Sequence, residues 1–303
     1  MTSQTFLFCD SSTVAMFKQW GQAISTAFST FGWTQSSDTG QVSWGSISSV
    51  PAANAYVYEV WTPNDGLTNF YLKVEYGNGQ GQTNLPTVRL SIATATNGSG
   101  TLTGLVMGPL YTNNIATYTT TGTTTSYECD FSGAAGRFAA LMWRNAPNGA
   151  PQFFGVERSV NSSGTYTSSH VTVVTAGPNT NSGNRSCVNQ QTYVFGLGPA
   201  PGHSIANAST PGGLAVRVFQ AGNTANTSGF NNSIGFDTIA PYIGYYDYPL
   251  TMVGAANYPD IVEAVTFQVT LYGATRTYLP TSGLELRYAG PRVATIALCM
   301  RYD

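Results

Sequence analysis

Hydrophobic residues recur at helical spacing in one segment near the N-terminus, residues 13–31. These residues form an apolar stripe along one side of the helix, and one position on the stripe is occupied by a glycine, Gly21. A glycine inside a helix costs about 1 kcal/mol relative to alanine. Ser11 or Ser12 can cap the first turn, and Gly32 can end the helix. The pattern predicts an amphipathic helix that covers a sheet and depends on tertiary packing. Its apolar positions follow at intervals of three, seven, four and three: Val14, Phe17, Ile24, Phe28 and Phe31.

The period of the hydrophobic pattern changes to two after Gly32, which is typical of strands with one buried face. In residues 70–76, for example, four apolar side chains alternate with Tyr71, Lys73 and Glu75. Turn signals at residues 63–66 and 97–100 separate such runs. Strands are predicted over residues 55–61, 70–76, 87–93, 137–144, 153–159, 170–175, 192–195, 214–219, 264–272 and 294–302.

Short strands with turn signals and no helices between them indicate an all-β fold, an antiparallel β-sandwich or jelly roll with one N-terminal helix. Residues 1–303 are expected to form a single domain. The Thr-rich stretch 117–126 is either an edge strand or a linker, and it is the best candidate for an internal boundary. Residues 179–213 and 223–259 are rich in Gly, Asn, Ser and Pro, and loops of this length are usually functional or become ordered against a partner.

Charged side chains are scarce, with 12 Lys and Arg and 14 Asp and Glu among 303 residues. This is 9% of the chain, whereas about a quarter is usual for a soluble domain. The surface is therefore expected to carry mostly hydroxyl and amide groups, which suit packing against neighbours or binding of neutral ligands. Few groups remain for proton transfer, so the composition favours a structural or adhesive protein over an enzyme.

The distribution of charge also narrows the choice of partners. The net charge is −2 and the chain has only two lysines, Lys18 and Lys73, which argues against nucleic acid and against anionic membranes. No segment reaches the 18 apolar residues needed to span a bilayer. The first residues lack the basic start and the long apolar core of a secretory signal, so the sequence predicts a protein made in a cytoplasm.

Cysteine and histidine are too few and too scattered to predict a metal site or a cofactor. Cys9, Cys129, Cys187 and Cys299 form no CxxC pair, and buried thiols are the expected state. A Cys9–Cys299 disulfide is an alternative if the protein meets an oxidising medium. His170 and His203 are the two histidines. The loop position of His203 beside Ser204 does not make a triad, and no G-x-S-x-G elbow is present.

Two local groups of charged residues are candidates for a catalytic pair. Glu128 and Asp130 share a face if Cys129 lies in a strand, but residues so close in sequence rarely form the acid–base pair of a glycosidase. Solvated positions on an edge strand are the preferred interpretation. Glu157 and Arg158 are expected to form a cross-strand ion pair. We predict no catalytic residue, and a glycan depolymerase remains the enzymatic rival.

The segment from Pro241 to Pro249 concentrates four tyrosines and an aspartate. Phenol rings and a carboxylate can stack on sugars and bond to them, can anchor a protein interface, or can pack beneath a loop. The interface interpretation is preferred because Tyr is enriched at such contacts. The candidate interface or glycan-binding residues are Tyr242, Tyr245, Tyr246, Asp247 and Tyr248.

Five stretches resemble virion structural proteins of tailed bacteriophages, of the kind associated with the tail, baseplate or neck. They are Phe17–Gly21 in the predicted helix, Asp38–Trp44, Phe70–Gly77, Thr96–Gly104 and Phe153–Ser159. The resemblance lies in the general character of these stretches and in their order along roughly the first half of the chain. It supplies no active-site residues.

What the resemblance implies is residence in a virion that assembles in the cytoplasm of a bacterial host. Its expected partners are other copies of the chain and other virion proteins. A host surface glycan is an alternative partner if the chain is a receptor-binding or adhesion protein. A capsid decoration protein is a further alternative.

Overall fold

The architecture is taken from a computed structural model. It describes residues 2–8, 14–78, 86–104, 109–111, 125–144, 152–161, 163–176, 191–196, 240–241, 253–257, 266–271, 274–280 and 296–303.

One α-helix, α1 (Val14–Thr30), and a 3₁₀ turn (Trp44–Ser46) accompany the strands in this part of the chain. In chain order the strands are β1 (Thr2–Phe8), β2 (Trp33–Gln35), β3 (Tyr56–Pro63), β4 (Tyr71–Asn78), β5 (Pro86–Ala93), β6 (Ala95–Thr96), β7 (Leu102–Thr103), β8 (Leu110–Tyr111), β9 (Thr125–Ala134), β10 (Arg137–Arg144), β11 (Gln152–Val160), β12 (Tyr166–Ala176), β13 (Gln191–Gly196), β14 (Ala240–Pro241), β15 (Val253–Asn257), β16 (Phe267–Leu271), β17 (Ala274–Pro280) and β18 (Ile296–Arg301).

The described strands form three larger sheets and a small hairpin. Sheet I has the order β1-β9-β10-β11-β12-β13, sheet II the order β2-β3-β4-β5-β8, and sheet III the order β14-β15-β18-β17-β16. The hairpin pairs β6 with β7, and every described strand pairing is antiparallel. The all-β class with one N-terminal helix is therefore confirmed, and the sheets pack in a sandwich-like manner.

The buried face of α1 lies against both sheet I and sheet II. Phe28 is the clearest case, because its ring stacks on Phe138 of sheet I at 3.6 Å and on Trp61 of sheet II at 5.2 Å between ring centroids. Trp33 of β2 also donates its indole N–H to the carbonyl of Ala134, 3.1 Å away at the end of β9. The helix thus covers the apolar core between two sheets, while Gln19, Gln22 and the rest of its outer face stay exposed.

Sheet I is buried on its other face as well. Arg137 of β10 is 1% exposed and donates to the Ser132 hydroxyl at 3.1 Å and to the backbone carbonyl of Asp303. The amide of Tyr302 donates to the carbonyl of Thr277 at 2.8 Å, which holds this segment on β17 of sheet III. Buried polar groups therefore line the contact between residues 301–303 and sheet I.

Several sequence predictions can be compared with these bounds. The predicted helix 13–31 is observed as Val14–Thr30, and alternation in β4 buries Leu72, Val74 and Tyr76 as expected. The longest strands that were not predicted are β1, β9 and β17. The predicted strand 214–219 and most of the Thr-rich stretch 117–126 lie outside the described residues, although β9 begins at Thr125.

The vacant position in the helical stripe has a structural reason. Gly21 is buried, and a Cβ atom at this position would overlap the indole ring of Trp44. The glycine lets the 3₁₀ turn press an aromatic ring against the helix, where Phe17 and Tyr76 contact the same ring. Its cost in helix propensity is therefore offset by packing.

Gly21→Ala is expected to lower the free energy of unfolding by about 1–3 kcal/mol, because overpacking outweighs the gain in helix propensity. Urea unfolding monitored by tryptophan fluorescence measures this change. The loss should shrink when the same substitution is made in a Trp44→Leu background, where the ring is absent. An increase in stability on Gly21→Ala in the wild-type background would disprove the packing argument.

Candidate interaction surfaces

The tyrosine-rich segment lies outside the described residues. This applies to all five candidates, Tyr242, Tyr245, Tyr246, Asp247 and Tyr248, so their role stays a prediction. His203, Cys9 and Cys187 also lie outside the described residues. Cys129 is a buried thiol in β9, as the sequence predicted.

The Glu128–Asp130 pair falls in the interior of a sheet. Both residues belong to β9, so they occupy the same face, as the sequence predicted. However, β9 lies between β1 and β10, and Asp130 is only 4% exposed. The expectation of solvated positions on an edge strand was therefore wrong for Asp130. The alternation of residues 125–134 could not reveal this, because burial of the strand depends on its pairing with β1.

Glu157 and Arg158 are both fully buried and face opposite sides of β11. Glu157 lies directly opposite Arg137 of β10 in the strand register, which agrees with a cross-strand charge pair. Arg158 instead forms its ion pair with Asp65, in the loop between β3 and β4. The predicted cross-strand ion pair therefore agrees with the register at Glu157, but it was wrong for Arg158, whose partner lies in a loop.

A buried carboxylate on sheet II was not singled out from the sequence. Glu59 is 1% exposed, on the face of β3 that contacts the core. Its oxygens accept hydrogen bonds from Trp44 Nε1 at 2.9 Å, from Trp61 Nε1 at 3.2 Å and from Tyr76 Oη at 2.7 Å. The signal in the sequence was the alternation Val57, Glu59, Trp61, which places the glutamate on the apolar side.

Burial raises the pKa of Glu59, and hydrogen bonds from Tyr76, Ser25, Trp44 and Trp61 oppose this rise without cancelling it. Since Ser25 belongs to α1, the carboxylate links the helix, the 3₁₀ turn and sheet II. Burial and the neighbouring Glu59 charge also raise the pKa of Tyr76 well above its ordinary value. The tyrosine therefore acts as a neutral hydrogen-bond donor. The carboxylate and its donors hold parts of the fold together, which is a structural role.

Replacing Glu59 by glutamine is expected to change how stability depends on pH. A carboxyl whose pKa is raised in the folded state binds its proton more tightly there, so its ionisation weakens folding as the pH rises from about 4.5 through the folded pKa. Glutamine is neutral at every pH, but its amide nitrogen cannot accept a hydrogen bond. One buried donor therefore loses its acceptor, which costs about 1–3 kcal/mol. The disadvantage of the glutamine variant should therefore be largest near pH 4.5 and decrease toward pH 7.

Urea unfolding of both proteins across this pH range measures the difference. Gln22→Ala, on the exposed face of α1, removes no titratable group, so it is the control and its effect on stability should not vary over this pH range. If the disadvantage of Glu59→Gln increased with pH, the hydrogen bonds would outweigh burial and the assigned direction would be wrong.

Asp38 joins two segments beside sheet II. Its carboxylate accepts hydrogen bonds from the Ser36 hydroxyl at 2.8 Å, the Thr96 hydroxyl at 2.9 Å and the Gly100 amide at 2.7 Å. Burial acts to raise the pKa of Asp38, but these hydrogen bonds outweigh it, so the pKa lies below its ordinary value. The residue therefore stays ionised and fastens the β6–β7 hairpin to the loop before β3.

The outer face of sheet II carries a connected network of charges and rings. Arg89 donates to Glu75 at 2.5 Å, and Lys73 lies 3.8 Å from the same carboxylate oxygen. The Lys73 ammonium is 4.5 Å from the centroid of the Tyr58 ring, and the Arg89 guanidinium is 3.6 Å from that of Tyr56. These pairs follow from the register, which places Tyr58 opposite Glu75 and Glu75 opposite Arg89.

Both tyrosine rings in this network are half-buried and contact other residues. Each has a cation over its ring, and each also lies against a glycine, because a Cβ atom at Gly100 or at Gly77 would overlap Tyr58 or Tyr56, respectively. The Tyr58 hydroxyl donates to the carbonyls of Thr39 at 2.6 Å and Ser99 at 3.1 Å. The charges and rings of this face thus contact one another, and stacking a sugar on the side of a ring that faces its cation would require that cation to move.

The outer strands of sheet I have a different character. β1 reads TSQTFLF and β13 reads QTYVFG, so neither contains a charged residue or a proline. Among the described residues, β1 pairs only with β9 and β13 only with β12. Proteins commonly protect such edges with charges, prolines or bulges, because the outward N–H and C=O groups can pair with another chain. Among the described outer strands, β16 also lacks charges and proline, but β1 and β13 are the longest, and we take them as the candidate interaction surfaces.

Within the described part of the chain, no group of three or more His, Cys, Asp and Glu side chains is placed to hold a metal ion. No helix in the described ranges has both the length and the apolar character required to cross a membrane. No protein-family model matches the sequence, and no curated protein matches it.

Proposed function

We propose that the chain is a non-enzymatic structural subunit of a bacteriophage virion, associated with the tail, baseplate or neck. The observation that carries the proposal is the pair of uncharged outer strands on sheet I, since strands of this kind favour assembly with other chains. The place in a virion comes from the resemblance of residues 17–21, 38–44 and 70–77, among others, to virion structural proteins.

The use of the carboxylates supports the non-enzymatic part of the proposal. Asp38, Glu59 and Asp65 each accept hydrogen bonds from several groups of the protein itself. A catalytic pair needs two carboxyl groups that face a common substrate across a cleft. These three residues instead fasten loops, a helix and a turn to the sheets, so none of the three is available as a member of such a pair.

Electron cryo-microscopy of the assembled particle tests this function. We expect density for many symmetric copies of the chain at the tail, baseplate or neck, each in contact with neighbours. Copies bound around the capsid shell would favour the decoration protein. Particles that lack the chain would refute the virion assignment.

Receptor or glycan binding is the alternative, through Tyr242, Tyr245, Tyr246, Asp247 and Tyr248. It predicts that a Tyr245→Ala, Tyr246→Ala variant folds normally and no longer binds host cells or their surface glycans. A structural subunit with no receptor contact would bind neither before nor after the substitution.

A further inference from the structure

The two outer strands of sheet I are matched to one another in length and in chemistry. β1 has seven residues and β13 has six, and both combine apolar residues with uncharged polar ones. Each already forms a regular antiparallel ladder on its inner side, over residues 2–8 with β9 and residues 191–196 with β12. Within the described ranges no strand lies on their outer sides, which carry rows of backbone groups of almost equal length.

The direction of the strands also suits a junction between copies. Six antiparallel strands reverse direction five times, so β1 and β13 run in opposite directions. If two copies lie side by side in the same orientation, β13 of one and β1 of the next are antiparallel. The alternation of strand directions then continues through the junction without interruption.

The register of the ladders keeps the two faces of the sheet continuous as well. Positions 4 and 6 of β1 fall on the same face as Cys129, and positions 193 and 195 of β13 fall on the same face as Val171 and Val173. Cys129, Val171 and Val173 all belong to the apolar core beneath α1. A side-by-side junction therefore joins core face to core face.

We propose that β13 of one copy pairs with β1 of the next, so that sheet I continues from subunit to subunit. This inference rests on the proposed structural role and names its partner as a second copy of this chain. A β1–β1 dimer would leave both β13 edges exposed, whereas head-to-tail pairing uses both edges of every interior copy. Such a contact is heterologous, and it gives a ring if the rotation between copies closes and a filament if it does not.

The test uses two full-length variants, each with one blocked edge. Lysines at positions 3 and 5 (Ser3→Lys, Thr5→Lys) block β1, since edge lysines oppose strand addition and here lie opposite Asp130 and Glu128 of the same chain. Lysines at positions 192 and 194 (Thr192→Lys, Val194→Lys) block β13. Gln19→Lys, Gln22→Lys, on the exposed face of α1, adds the same charge away from both edges and is the matched control.

Sedimentation velocity at micromolar concentration is the measurement. The wild type and the helix control should form rings or longer assemblies, and each blocked variant alone should sediment as a monomer of 32.1 kDa. Mixing the two blocked variants should give a 1:1 dimer that grows no further, because only one open β13 and one open β1 remain. Circular dichroism checks that all variants keep the β-rich fold.

Each other sedimentation result overturns the proposal. A dimer of the β13-blocked variant alone would show β1–β1 pairing, and a dimer of the β1-blocked variant alone would show β13–β13 pairing. A monomeric wild type would exclude pairing through these edges. So would a wild type that assembles while neither blocked variant has an association constant at least about tenfold lower. Absence of the chain from virions would instead refute the virion role and leave the strand pairing intact.

Discussion

Phe28→Ala is expected to lower the free energy of unfolding by about 3–5 kcal/mol, the range for truncating a fully buried aromatic side chain. Phe28 has no exposed surface, and its ring lies between Phe138 of sheet I and Trp61 of sheet II. Trp33 also meets its edge, at 5.4 Å between centroids. The substitution therefore removes the side chain that α1 shares with both sheets. Urea unfolding monitored by tryptophan fluorescence measures the loss.

Two variants separate this effect from a general weakening of the helix. Gln22→Ala, on the exposed face of α1, should change stability by no more than about 0.5 kcal/mol. Phe28→Leu keeps much of the apolar volume and should cost less than alanine. If Phe28→Ala cost less than about 1 kcal/mol, the helix would not be packed against both sheets.

The elements that local patterns determine were predictable from the sequence. Spacings of three and four residues identified α1 to within one residue at each end, and alternation in residues 70–76 identified the buried face of β4. The glycine at position 21 also indicated that the helix depends on tertiary packing. Sequence spacing could not give the reason for a glycine there, because the ring of Trp44 reaches Gly21 only after the chain has turned back on the helix.

Non-local pairing accounts for the elements that the sequence did not reveal. β1 becomes a strand by pairing with β9, which lies far along the chain, and this pairing makes the strand of Asp130 an inner strand of sheet I. The buried site of Glu59 was also not evident from the sequence, because its hydrogen-bond donors come from separate elements of the fold. The candidate edges were missed for this reason, since an edge is a property of strand order and not of strand sequence.

The described charges of this chain serve mainly the interior and the contacts between its parts. Arg137, Arg158 and Glu157 are almost completely buried, and Glu75 and Arg89 bind one another on the outer face of sheet II. The chain has few charges, and many of the described ones are buried or paired with one another. Little surface charge is therefore available to repel other copies of the chain. This scarcity connects the composition to the proposed pairing of uncharged edges.

Arg158→Met is expected to destabilise the protein by about 3–5 kcal/mol, because it leaves a buried carboxylate without its cation. Arg158 has no exposed surface and pairs through Nε and an Nη atom with Asp65, which is 7% exposed as a side chain. The same guanidinium donates to the carbonyl of Thr68 at 2.7 Å and lies 4.8 Å from the centroid of the Phe70 ring. One side chain of sheet I thus holds the whole loop between β3 and β4.

A double-mutant cycle with Asp65→Asn shows whether the pair itself is responsible. The Asp65→Asn variant keeps a side-chain oxygen able to accept from the Leu67 amide, as Asp65 Oδ1 does at 3.1 Å, so the local turn is preserved while the charge is removed. The single variants each leave one buried charge, but the double variant leaves none, so its loss should be smaller than the sum by about 1–3 kcal/mol. Strict additivity would mean that Arg158 acts through its packing on Phe70 and its bond to Thr68, and that the ion pair contributes nothing to holding the loop on sheet I.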